Sequence, residues 1–226
     1  MLELSNITAG YERDKPVVRD MSLVVARGEA VGLLGPRGCG KSTLARVAAL
    51  LHRPDAGTVV IGGTPVVTDP RHRVPRALRT TVGFVLPAPG RSGGPALRLR
   101  DLIAEPLKAS GRRIEIRERV DELAHAVGLG GDLLTRDTRE VGDGPLQRAL
   151  LARALVLRPR LLICDEMTAL MDSETTDALI AAVCDYRRAS GASLLAVGDD
   201  PALLATWCDR TVTWNAPTTT PLAHTP

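Results

Sequence analysis

Nine residues, Gly35-Pro36-Arg37-Gly38-Cys39-Gly40-Lys41-Ser42-Thr43, separate the apolar run Ala30-Val31-Gly32-Leu33-Leu34 from the helical pattern Leu44-Ala45-Arg46-Val47-Ala48. They form a Gly-x₄-Gly-Lys-Ser loop at the point where a strand gives way to a helix. Glycines let successive backbone N–H groups turn inward around a phosphate, and the helix N-terminus adds partial positive charge at the same place. At this spacing Lys41 reaches the terminal phosphates of a nucleotide and Ser42 binds Mg²⁺. An ordinary glycine turn leaves Lys41 and Ser42 unexplained.

A chain of 226 residues suits one sizeable or lobed domain, and its 44% hydrophobic content can bury a real core. The formal charge of +3 is small for this length. The arginines therefore describe a mixed, solvated surface rather than the clustered basic face that nucleic acid requires. Four cysteines, at 39, 164, 184 and 208, lack Cys-x-x-Cys spacing and read as reduced thiols of a cytosolic protein. Cys39 reads as a small residue tolerated in the loop rather than a redox control. No apolar stretch approaches the ~18 residues that cross a bilayer, and Met1-Leu2-Glu3-Leu4 lacks a basic leader. A membrane role would then run through a partner.

Leu2, Leu4 and Ile7 suggest one strand and Val17-Val18, Met21, Leu23 and Val25 another, forming an antiparallel flap beside the loop. Further strands are signalled at Gly57–Gly63, Pro65–Val67 and Thr81–Val85. Pro87–Pro95, rich in proline, glycine and arginine, reads as an exposed connector into a helical lobe over about 97–143. A helix over Leu146–Leu157 stops at Pro159; the buried-strand run Leu161-Leu162-Ile163-Cys164 then ends in Asp165-Glu166. Glu174–Ala189 and Pro201–Trp207 read as helices, and Ser193–Val197 and Thr211–Trp214 as strands. Strands alternating with helices predict an α/β fold with a mostly parallel sheet and a ligand at the strands' carboxyl ends. Residues 1–215 are expected to form one domain, with 216–226 a disordered threonine- and proline-rich tail.

Asp165-Glu166 is the pair that phosphoryl transfer asks of a strand near the loop. One carboxylate serves the Mg²⁺ shell and the other orients or deprotonates water. P-loop ATPases place both elements on adjacent strands, and that is the arrangement expected. The order of elements over residues 2–214 resembles the ATP-binding subunits of ABC transporters. Arg100-Asp101-Leu102-Ile103-Ala104-Glu105-Pro106-Leu107 looks like the helical-lobe segment of the dipeptide, oligopeptide and nickel importer branch, and Leu146–Leu155 matches the helix after the family signature.

The resemblance implies a P-loop NTPase core with an antiparallel β flap and a helical lobe, and it implies ATP and Mg²⁺ as cofactors. In this pattern Tyr11 stacks on adenine, Gly35, Pro36, Arg37, Gly38, Cys39, Gly40, Lys41, Ser42 and Thr43 surround the phosphates, Ser42 and Asp165 hold the metal, and Glu166 is the catalytic residue. It also implies a cytoplasmic, peripheral position on the inner face of the cell membrane, docked on permease subunits beside a second ATP-binding subunit, with no nucleic acid involved.

Three positions depart from that family's pattern. The glutamine expected after Val85-Leu86 is Pro87, the signature Leu-Ser-Gly-Gly-Gln reads Val141-Gly142-Asp143-Gly144-Pro145, and the histidine expected after Val197-Gly198 is Asp199. Proline cannot ligate a metal, and the signature serine has become Gly142 with a carboxylate next to it. Two like unit charges at 4 Å repel by about 4 kcal/mol at an effective dielectric of 20, against about 1.5–3 kcal/mol for one lost hydrogen bond to a charge. Such changes spare nucleotide binding more readily than fast hydrolysis. Because two subunits of this family face each other head to tail, a homodimer would place every departure in both sites. A heteromeric assembly with a more orthodox ATPase is therefore expected. A nucleotide-binding regulatory or assembly module that scarcely hydrolyses ATP is the alternative reading.

Overall fold

The computed structural model describes residues 1–12, 15–66, 74–86, 97–112 and 114–214. The readings of 87–95 as a connector and of 216–226 as a tail, and the substitution at Pro87, lie outside the described residues. The chain runs β1 (Leu2–Glu12), β2 (Lys15–Val25), β3 (Ala30–Leu34), α1 (Lys41–Ala48), β4 (Ala56–Ile61), β5 (Thr64–Val66), α2 (Arg76–Arg79) and β6 (Val82–Val85). It continues with α3 (Leu99–Ser110), α4 (Ile116–Ala126), α5 (Asp143–Leu155), β7 (Leu161–Asp165), α6 (Ser173–Ser190), β8 (Ser193–Gly198), α7 (Pro201–Ala205) and β9 (Arg210–Thr213).

Five strands form a parallel sheet in the order β6-β7-β8-β3-β9, and four form an antiparallel sheet in the order β2-β1-β4-β5. The α/β class, the parallel sheet and the antiparallel flap agree with the sequence reading. One expectation is corrected. β3 and β7, which carry the glycine loop and the acidic pair, are not neighbours, because β8 lies between them and bonds to both.

Side-chain alternation along the central strands builds two cores. Leu161 and Ile163 of β7 join Val31 and Leu33 of β3, Leu44 and Val47 of α1, and the flap residues Leu2, Leu4 and Ile7. Leu162 and Cys164 point the other way, into a cluster with Leu99, Ile103 and Leu107 of α3, Val120 and Leu123 of α4, and Leu151 of α5. All five β7 residues are buried, as a strand covered on both faces requires.

Helix α5 begins three residues before the predicted start. Gly142 is its extended N-cap (ψ 172°), Asp143 opens the first turn, and Pro145 lies within that turn. Proline is tolerated there because the first N–H groups of a helix lack intrahelical partners, and Asp143 favours the positive end of the helix. The altered signature is thus helical from Asp143 onward rather than a loop. Asp172 caps α6: its Oδ1 accepts the Thr175 N–H at 2.7 Å.

Candidate functional site

The glycine loop leaves β3 at the carboxyl edge of the sheet. Gly38 and Gly40 adopt left-handed φ of 78° and 111°, which a side chain would strain. At Gly40 a Cβ would also come within 3.1 Å of the Val17 carbonyl oxygen. Among the described residues, no backbone acceptor pairs with the N–H groups of Gly38, Gly40, Lys41 or Ser42. These donors line the entrance to α1, where an anion is favoured.

Lys41 is almost wholly buried, and its Nζ donates to the carbonyls of Gly35 and Pro36, each at 2.8 Å. It also lies 3.7 Å from Glu166 Oε1. A buried ammonium needs such partners, and all three belong to groups beside the amide cradle. Ser42 Oγ donates to Asp165 Oδ1 at 2.9 Å, spanning the gap that β8 opens between β3 and β7.

Asp165 is 2% exposed, and burial pushes its carboxyl up from the ordinary range while the Ser42 hydrogen bond and the nearby Arg46 and Lys41 oppose that shift. Such a carboxylate gains most from a bound cation. Among the described residues there is no cluster of three His, Cys, Asp or Glu side chains able to hold a metal by itself. One hydroxyl and one carboxylate, joined by water and phosphate oxygens, would fit the oxygen ligand set that Mg²⁺ favours.

Glu166 sits just beyond β7 with a φ of 47°, an uncommon conformation for a residue bearing a side chain. Its N–H donates to the Val197 carbonyl at 3.0 Å, extending the ladder to β8 while the turn carries the carboxylate toward Lys41.

Tyr11 stands at the end of β1, 59% exposed. Its hydroxyl accepts from Arg46 at 2.6 Å and lies 3.5 Å from Thr43 Oγ1, while its ring packs on His52 with centroids 4.9 Å apart. Burial raises its phenol, but the hydrogen bonds from Thr43 and Arg46 outweigh this and hold it below its ordinary value. The flap tyrosine is thereby fastened to α1, beside the loop. Arg46 and His52 were missed in the sequence. Arg46 stands one helical turn after Thr43, a spacing that could have disclosed it; His52 carries no such signal.

Arg37, expected among the residues around the phosphates, turns to the end of β8, where its Nε donates to Asp199 Oδ2 at 2.9 Å. The anion in the histidine's place therefore faces a cation from the phosphate loop. Residues 141–145 make no hydrogen bond to the loop among the described residues. Gln147 of α5 donates to the Leu86 carbonyl at 2.9 Å, just ahead of position 87, and its Oε1 is buried without a partner. The four cysteines are free; burial raises the Cys164 thiol and, together with Asp209 and Cys184, pushes Cys208 up to about 12, so both are poor nucleophiles.

A glycine loop opening a helix at the carboxyl edge of a parallel sheet, joined to a carboxylate two strands away, defines a nucleotide-binding α/β domain. Residues 18–169 match the family model described as ABC transporter, and the chain belongs to that family as an ATP-binding domain.

The methionine import ATP-binding protein MetN 2 of Rhodopseudomonas palustris is 38% identical over 189 residues, covering 80% of this chain and 48% of that protein. The lipoprotein-releasing system ATP-binding protein LolD of Anaeromyxobacter dehalogenans is 34% identical over 221 residues, covering 93% of this chain and 89% of that protein. A putative peptide import ATP-binding protein of Brucella abortus is 34% identical over 83% of this chain and 57% of its own length. The chain thus spans about half to three fifths of these import relatives. In fold it is similar to the ATP-binding cassette MJ0796 bound to ADP and Pi, with a TM-score of 0.83, 24% identity, and 95% and 94% of the two chains covered. Among the described residues, no helix is long and apolar enough to cross a membrane.

Proposed function

We propose that this chain, over residues 1–215, is the ATP-binding subunit of an ABC transporter and couples MgATP binding and hydrolysis to transport through a separate permease. The Ser42–Asp165 hydrogen bond carries this reading, because it joins the phosphate loop to the acidic strand across β8. The loop amides and Lys41 would hold the β- and γ-phosphates, with Lys41 exchanging its loop carbonyls for phosphate oxygens. Ser42 and Asp165 would hold Mg²⁺, which when bound neutralises charge on those oxygens. Glu166 would orient the attacking water and accept its proton. Tyr11 would present its ring to adenine, a stack worth about 1 kcal/mol. Residues 97–143, with the two helices α3 and α4, would form the lobe that meets the permease at the inner face of the membrane.

Importer relatives named for methionine and peptides, together with the Arg100–Leu107 segment, support an importing role. A second reading, a nucleotide-binding subunit of poor turnover in a heteromeric complex, is supported by Gly142, Asp143 and Asp199 in the sequence. In that arrangement an orthodox partner would lend its signature to the site built on Lys41, and the partner's own loop would meet this chain's altered one.

ATP affinity and phosphate release, measured for the wild type, Lys41→Ala and Glu166→Gln, test both readings. Lys41→Ala should abolish nucleotide retention in a folded sample; unaltered retention sinks the proposal. Glu166→Gln should keep binding and stop phosphate release. Equal release by wild type and Glu166→Gln would favour the module of poor turnover.

A further inference from the structure

We propose that Arg37 is a sensor of the γ-phosphate and that Asp199 is the residue that positions it, the pair replacing the single donor that a histidine at 199 would supply. This inference rests on the nucleotide reading above. Arg37 lies at the third position of the glycine loop, between Pro36 and Gly38, and its side chain reaches the carboxyl end of β8. There its Nε donates to Asp199 Oδ2 at 2.9 Å. This contact uses one of the five guanidinium N–H groups and biases the orientation of the planar fork. Among the described residues the two terminal nitrogens make no other hydrogen bond or ion pair.

The pair also borders the catalytic carboxylate. Arg37, Glu166, Thr168 and Asp199 line one cavity of about 190 Å³ at the ends of β7 and β8. Glu166 both lines this cavity and lies 3.7 Å from Lys41, so a terminal phosphate held by Lys41 would lie on the side that the guanidinium borders. An arginine fork is suited to the paired oxygens of a terminal phosphate. ADP lacks that group, so the fork would add to the binding of ATP alone.

Asp199, on this view, acts through Arg37. Without the arginine it would stand as a bare anion opposing the phosphate; with it, the carboxylate orients the cation that receives the phosphate. The ion pair is largely solvated, with side-chain exposures of 74% and 43%, so it does little for stability, and the variants below should fold.

The test measures ATP and ADP affinity separately, in Mg²⁺, for wild type, Arg37→Ala, Asp199→Asn, the double variant and Lys41→Ala. Arg37→Ala should weaken ATP by about tenfold, the scale of one charge-assisted hydrogen bond, and leave ADP within about twofold. Asp199→Asn should lower the ATP preference while Arg37 is present and raise it in the Arg37→Ala background, where an unshielded carboxylate would otherwise repel the phosphate. Equal loss of ATP and ADP affinity in Arg37→Ala, or the same effect of Asp199→Asn in both backgrounds, overturns the assignment. Lys41→Ala should weaken both nucleotides; if it weakens neither, the nucleotide reading itself falls.

Discussion

At residue scale, the buried Asp165 offers a test that needs no ligand. Its carboxyl is raised in the folded chain chiefly by burial, so the native state holds its proton more tightly than the unfolded chain does. Stability from this group is complete below the unfolded value and is lost as pH rises through the folded one. Asp165→Asn should therefore raise the melting temperature of the nucleotide-free protein at neutral pH, with the gain vanishing in acid. A neutral-pH melting temperature below that of the wild type would contradict this account. The same substitution should weaken Mg²⁺-dependent ATP binding, so stability and ligand affinity should move in opposite directions, a stability cost that the site accepts for function.

At the scale of elements, the glycine loop and the strand before it were legible because their chemistry is local: apolar residues, then φ values open only to glycine, then a helix start. The start of α5 was harder to read. Pro145 resembles a breaker, whereas the first turn of a helix accepts proline freely. The cap of α6 is equally local, since the Asp172 hydrogen bond spans only three residues. Asp172→Ala should cost α6 about 1 kcal/mol, measured by urea unfolding. By contrast, Leu151→Ala, at a fully buried position of α5 in the helical core, should cost about 2–5 kcal/mol in the same assay. Equal effects of the two variants would contradict the packing described for α5. The Arg37–Asp199 pair could not be foreseen, since it joins positions 162 residues apart and no periodicity links them.

For the whole molecule, the heteromeric reading drawn from Gly142, Asp143 and Asp199 makes a prediction about assembly. Glu166→Gln with excess MgATP should remain monomeric in sedimentation, because a homodimer would set the altered signature against both of its own phosphate loops. A stable homodimer under those conditions would contradict the heteromeric reading. Strand order bears on how such a molecule comes into being. The neighbours of β3 are β8 and β9, the last two strands of the described chain, so the strand that carries the glycine loop gains its parallel-sheet partners only once those later strands exist. On the ribosome, a nascent chain halted before residue 193 would hold the complete glycine motif and the acidic pair, yet it would lack the strand that must slot between them. Nucleotide retention is therefore expected only in ribosome-bound chains long enough to include β8, and retention by shorter ones would contradict this.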